Sequence, residues 1–238
     1  MARAETKATV FVVDDDPSVR KSLARLMKSA GYAVETFTSA REFLDHAHYQ
    51  DAAGCLLLDV QLPGLNGLDL QQELKQFAFA PSVIFITGHG DVPTSVRAMK
   101  DGAVDFLTKP VNDDDLLWAV RQAIARNTES RQREAELIEL RRRVDTLTSR
   151  EREVMALIVR GFMNKQVAAM LGTVEKTIKV HRGRVIEKME VQSLAELVRA
   201  AEKLGLFSDA NESGSARPTA TARLSSLSSP DPRLAGHP

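Results

Sequence analysis

The sequence predicts an α/β domain with a five-stranded parallel sheet wound on both faces, followed by a smaller domain made only of helices. Three observations carry this. From residue 8 to about 124, short apolar runs alternate with segments of helical period, which requires crossover helices and hence parallel strands. From residue 147 to 207 no such run recurs, and apolar residues return at spacings of three and four between glycines. The formal charge divides along the same line. Residues 1–124 hold 12 Lys/Arg against 17 Asp/Glu, net −5, and residues 146–207 hold 11 against 7, net +4.

The first strand, residues 9–13, ends in Asp14-Asp15-Asp16. Asp16 before Pro17 reads as a helix cap, and Val19, Leu23, Leu26, Met27 and Ala30 follow at helical spacing up to Gly31. A strand at 33–37 and a helix from Ser39, with Phe43 and Leu44 inward, come next. Residues 55–58 form an unbroken apolar run, as expected of a strand buried on both faces, and lead into Asp59 ahead of Pro63-Gly64. Asn66-Gly67 opens a helix with Leu68, Leu70 and Leu74 as its apolar stripe. The strand at 83–86 ends in Thr87-Gly88-His89-Gly90, and Asp91 caps a helix carrying Val92, Val96 and Met99 up to Gly102. The strand at 104–107 ends in Thr108-Lys109-Pro110. The fifth helix, 112–125, turns Leu116, Leu117, Val120 and Ile124 to the sheet.

Residues 126–145 contain neither Gly nor Pro, and charge dominates them. Leu137, Leu140, Val144 and Leu147 alternate at spacings of three and four, so the linker at 125–146 is helical, either solvated or dimerising through that seam. In the second domain, 147–207, Ser149 starts a helix with Val154, Leu157 and Ile158 buried. Asn164 caps a short helix with Val167, Ala168 and Leu171. Helices at about 175–189 and 193–203 follow, and two short helices joined at a glycine turn give a helix-turn-helix layout. Residues 208–238, rich in Ser, Ala, Pro and Gly without periodicity, are expected to be disordered.

No segment has the apolar length of a membrane span, and the first seven residues do not read as a signal peptide. The single cysteine, Cys55, lies in an apolar strand and reads as core. A reducing, cytoplasmic setting is expected.

Ligands of open α/β sheets bind outside the carboxyl ends of the strands, and there the sequence gathers acids, a hydroxyl and a lysine. Such a set suits transfer of a phosphoryl group to a carboxylate. Asp14, Asp15 and Asp59, with the backbone carbonyl of Gln61, are the expected ligands of Mg²⁺. Lys109 is expected to pair with Asp59 at rest and then with the phosphoryl group, to which Thr87 donates its hydroxyl. Each residue alone has an ordinary explanation as a cap, a turn or a loop satisfier. Their convergence at four strand ends is what favours chemistry.

Val13-Asp14-Asp15-Asp16, the run from Leu58 to Gly67, Thr87 to Asp91, and Asp105 to Pro110 resemble the receiver domain of bacterial two-component response regulators. The resemblance implies a flavodoxin-like sheet of order 2-1-3-4-5 and Asp59 as acceptor of a phosphoryl group from a histidine kinase. It also implies a switch formed by Thr87 and Phe106. The segments beginning at Leu147, Gly161 and Thr177 resemble the LuxR-type helix-turn-helix, and residues 8–207 together resemble the FixJ-type regulators.

By that resemblance Lys179 and Val180 enter the major groove, with Gly183 where a base-reading side chain often stands. Lys176 and Arg182 decorate the same predicted helix, while Lys165, Thr177, Arg184 and Lys188 suit phosphates. Where the family caps this helix with Ser or Thr, the chain has Val174, and His181 reads as a packing residue. The implied function is a transcription factor that dimerises and binds promoter DNA on phosphorylation, with RNA polymerase as a further partner. Leu194, Leu197 and Val198 are candidate dimer contacts, equally well explained as core. A Mg²⁺-dependent phosphatase is the enzymatic rival, disfavoured because position 61 is Gln where such sites want an acid. A constitutive DNA binder is a third reading, and the complete acid–lysine set argues against it.

Overall fold

The computed structural model describes residues 8–45, 53–88 and 90–206; the expected signal-free start and the 208–238 tail lie outside them. Five parallel strands, β1 (Thr9–Val13), β2 (Ala33–Phe37), β3 (Gly54–Leu58), β4 (Ser82–Thr87) and β5 (Asp105–Thr108), form one sheet. Their order is β2-β1-β3-β4-β5, as expected. Helices α1 (Pro17–Ser29), α2 (Ala40–Asp45), α3 (Gly67–Leu74), α4 (Val92–Lys100) and α5 (Asp113–Asp145) connect or follow the strands.

Alternation sorts the strand side chains onto two faces. Phe11, Leu56, Leu58 and Phe85 pack with Phe43, Leu70 and Ala98 on one side, while Val10, Val12, Leu57 and Ile84 pack with Met27, Leu116 and Val120 on the other. Cys55 is fully buried in this second layer, and burial pushes its thiol far above the ordinary value, as suits a core residue. Side chains of Asp16, Asn66, Asp91 and Asn112 each accept a hydrogen bond from the first turn of the following helix.

The apolar residues of α4 face outward: Val92, Val96 and Met99 are 74%, 45% and 45% exposed, and Ala98 is the residue that packs inward. The fifth helix and the expected helical linker form one helix, unbroken for 33 residues, whose receiver-side packing continues past residue 125. Asn127 accepts from Gly54 N–H (3.1 Å) and donates to the Ala80 carbonyl (2.8 Å), and Arg131 donates to the Phe79 carbonyl (3.0 Å) while its guanidinium lies over the Phe79 ring.

The far end of α5 belongs to the second core, built with α6 (Ser149–Ile158), α7 (Asn164–Met170), α8 (Glu175–Lys188) and α9 (Leu194–Lys203). Leu140 and Leu147 are buried there and Val144 packs against them, so these seam residues make an intramolecular contact. Arg143 donates to the Met189 carbonyl (3.1 Å), and Glu136 pairs with Lys203. Leu197 is fully buried in the same core, which takes it out of the candidate dimer contacts, while Leu194 and Val198 are half-buried.

α6 starts at Ser149, as expected, with Thr148 before it as the cap, forming a reciprocal pair with Glu151 at the third helical position. The cap of α7 falls one residue earlier than expected. Met163 precedes α7, its N–H bonded to Gln166 Oε1, while Asn164 lies inside the helix and accepts from Arg182. Val174 stands at the cap position before α8 and gives no side-chain cap, as read from the sequence.

Candidate functional site

The parallel register sets the first site. Val13 pairs with Leu58, and Asp59 N–H bonds the Val13 carbonyl (2.9 Å), so Asp14 and Asp59 leave neighbouring strands side by side at the carboxyl edge. On the other flank Thr87 pairs with Thr108, and Lys109 N–H bonds the Thr87 carbonyl (2.8 Å), bringing the lysine in from β5. Asp14, Asp59 and Thr87 are buried, whereas Asp15 and Gln61 are exposed.

Lys109 Nζ stands 2.6 Å from Asp14 Oδ2 and 2.6 Å from Asp59 Oδ2, bridging both acids rather than pairing with Asp59 alone. The other carboxylate oxygens accept backbone N–H groups, Asp14 Oδ1 from Asp16 (2.9 Å) and Asp59 Oδ1 from Gln61 (3.0 Å). Burial pushes the Asp14 carboxyl above its usual value, against the downward pull of Lys109 and the Asp16 N–H. Burial pulls the Lys109 ammonium down, but its hydrogen bonds to Asp14 and Asp59 outweigh this and hold it above the usual lysine value. The lysine therefore stays charged at neutral pH.

Oxygens of Asp14, Asp15 and Asp59 lie within 4.8 Å of one another. Three carboxylates against one ammonium leave two negative charges, and the donors are all hard oxygens, so the set fits a small divalent cation of the Mg²⁺ type. Gly67 admits this geometry, because a Cβ there would come 2.2 Å from the Asp59 carbonyl oxygen. Phe106 is half-buried, its ring 5.9 Å from that of Phe85 and against Gly90.

In the helical domain, Ile178, Val185 and Met189 hold α8 to the core. Lys176, Lys179, Val180, Gly183 and Arg184 share its exposed side, and Lys165 is exposed on α7. Thr177, His181 and Arg182 are half-buried, and Arg182 Nη1 reaches Asn164 Oδ1 at 3.3 Å. The result is a predominantly cationic helix face, diluted by exposed Glu175 and Glu187 and with an apolar residue in it, held by a separate core.

Comparison with known proteins agrees with both halves. Residues 10–121 match the response regulator receiver domain family, and residues 145–201 match the bacterial regulatory proteins of the luxR family. Nodulation protein W of Bradyrhizobium diazoefficiens is 50% identical over 209 residues, spanning 88% of this chain and 92% of that protein. The transcriptional regulatory protein FixJ of Azorhizobium caulinodans is 45% identical over 197 residues, 83% of this chain and 93% of the relative. The chain belongs to the FixJ-type response regulators. A low-resolution structure of the response regulator StyR superposes with a TM-score of 0.71 at 47% identity, covering 83% of this chain and 99% of that one. Among the described residues of this regulator, no helix is long and apolar enough to cross a membrane.

One of the regulator's expected phosphate contacts is committed elsewhere. Lys188 Nζ is held 2.7 Å from Glu151 Oε2 and 3.0 Å from the Thr146 carbonyl, so its charge serves the fold. Glu151 is 2% exposed, and a buried carboxylate needs its cation. Lys188→Ala is therefore expected to destabilise the helical domain by about 2 kcal/mol in urea unfolding, a modest figure for a broken ion pair because the lysine side chain is 33% exposed. Lys176→Ala should leave stability unchanged and lower the salt dependence of DNA binding by about one phosphate contact.

The same pair sets a pH dependence. Bonds from Lys188 and Thr148 hold the Glu151 carboxyl at about 2, below its usual 4.5. A depressed carboxyl contributes stability that is present above about pH 4.5 and is lost as pH falls toward 2. The acid limb of the stability curve should accordingly be flatter in Lys188→Ala than in the wild type. Three contacts carried no sequence signal. They are Lys188–Glu151, 37 positions apart; Asn127–Gly54, 73 apart; and Arg20 Nη1 on the Asp14 carbonyl (2.6 Å), which ties α1 to the acidic loop.

Proposed function

We propose that this regulator accepts a phosphoryl group on Asp59 from a histidine kinase and in response dimerises and binds promoter DNA through α8. The observation that carries the reading is the Lys109 ammonium held at 2.6 Å from both Asp14 and Asp59 in a site with two negative charges to spare. An Asp59 carboxylate oxygen forms the new P–O bond as the donor's P–N bond breaks, and the leaving imidazole takes a proton from water. Lys109 exchanges one carboxylate for the incoming phosphoryl oxygens, and the Thr87 hydroxyl donates to another of them. Asp14, Asp15 and Asp59, with the Gln61 carbonyl, would hold Mg²⁺, which supplies charge neutralisation on the phosphoryl oxygens when bound.

Movement of Thr87 toward the phosphoryl group opens the space into which the half-buried Phe106 ring turns. The adjoining face of α4 carries exposed Val92, Val96 and Met99, which supports its use as the surface that pairs two receivers. A dimer presents two α8 helices to a two-half-site operator, with RNA polymerase as the downstream partner in the cytoplasm. Gln61 supplies no acid beside Asp59, so the chain is read as a phosphoacceptor with slow self-dephosphorylation rather than a phosphatase. Intact-mass measurement after incubation with acetyl phosphate and Mg²⁺ tests the chemistry. One phosphoryl group on the wild type and none on Asp59→Asn is expected; equal labelling of both would refute Asp59 as acceptor.

A further inference from the structure

Gly183 lies inside α8, where glycine is the least favourable residue after proline. Packing and backbone conformation give no reason for it. The helix runs regularly from Glu175 to Lys188, Gly183 is outside the positive-φ glycines, and among the described residues nothing beyond its two chain neighbours and the local helix backbone comes within 4 Å of the point where its Cβ would stand. Its position faces solvent among Lys176, Lys179, Val180, Arg184 and Glu187, with Lys179 Nζ 3.3 Å from Glu175 Oε1. Nothing in the described part of the chain accounts for the missing side chain.

We propose that Gly183 is a specificity-determining position of the regulator: it removes the side chain at the point where the α8 backbone comes closest to the base edges of the major groove. A helix with its side chains is about 10–12 Å across and the groove about 12 Å wide, so a bare position on the inward side lets the helix axis sink further. Deeper seating brings Lys179 and Val180 to the base edges, the valine against a thymine methyl. The flanking cations suit walls of phosphate. This inference rests on the reading of α8 as the DNA-binding helix.

The test uses the full chain with Mg²⁺ and acetyl phosphate, and a short duplex that the wild type recovers from a random pool. Gly183→Ala should raise the melting temperature of the helical domain by about 4 °C, because alanine favours the helix. It should nevertheless bind the recovered duplex about tenfold more weakly, a loss typical of one spoiled base-pair contact. Gly183→Leu should lose more, and both variants should bind random-sequence duplex as the wild type does. Wild-type affinity of either variant for the recovered duplex would overturn the proposal. So would tighter binding by Gly183→Lys, which would make the glycine merely an emptied base-reading position. If Lys176→Ala and Lys179→Ala weaken binding while the Gly183 variants do not, the close approach fails and the DNA-binding reading survives. If none of these changes matters, both fall.

Discussion

Lys109→Met is expected to lower the stability of the receiver half by about 3 kcal/mol in the absence of divalent cations, with a fall in melting temperature of about 10 °C. The reason lies in what the lysine leaves behind. Asp14 and Asp59 are 2% and 7% exposed, and the ammonium stands 2.6 Å from each. Without it, two buried carboxylates face one another, and one of them must take up a proton. Because burial already raises the Asp14 carboxyl, that is the group expected to do so. The same substitution should make millimolar Mg²⁺ more stabilising than it is for the wild type, since the cation supplies the missing charge and stabilises by mass action. Thermal melts with and without Mg²⁺ read both effects. A Lys109→Met protein as stable as the wild type without cation would show that the acids are not charge-coupled to the lysine.

The second large effect concerns α5. Its near end is locked to the receiver by Asn127 and Arg131, and its far end to the helical domain by Leu140, Arg143 and Leu147. Between Arg131 and Glu136 the helix links the two halves. A rod anchored at both ends passes rotation or displacement from one core to the other, whereas a flexible tether passes nothing but proximity. Ala135→Pro interrupts the helix in that bare turn, at a cost of about 3 kcal/mol in helix stability. Both domains should remain folded, and Asp59 should still be phosphorylated. The gain in operator affinity on phosphorylation should fall to near unity, measured as the ratio of Kd with and without acetyl phosphate. An undiminished ratio would make α5 a passive spacer.

Legibility in the sequence followed the range of the forces. Strand ends were readable because a parallel strand buried on both faces is an unbroken apolar run, and its terminus marks where chemistry can stand. Asp14, Asp59, Thr87 and Lys109 all came from that rule, and the register then brought them together. Helix starts were readable to within a residue: Ser149 does begin α6, whereas α7 begins at Asn164 itself rather than after it. Periodicity left Leu140, Val144 and Leu147 either solvated or dimerising, and the structure packs them instead into the chain's own second core.

Val92, Val96 and Met99 show the converse, an apolar stripe that stays exposed because Ala98 is the residue that meets the sheet. Long-range pairs such as Lys188–Glu151 left no local pattern, and so a structural lysine was indistinguishable from a DNA-facing one.

The central claim is that phosphorylation of Asp59 governs DNA binding. Its most direct test is operator binding and molecular size, measured side by side for the wild type and Asp59→Asn, with Mg²⁺ and with or without acetyl phosphate. The account predicts that the donor drives dimerisation and tightens operator binding in the wild type alone. Equal binding by both proteins, with or without the donor, would contradict it and leave the receiver half as a scaffold for a constitutive DNA-binding domain.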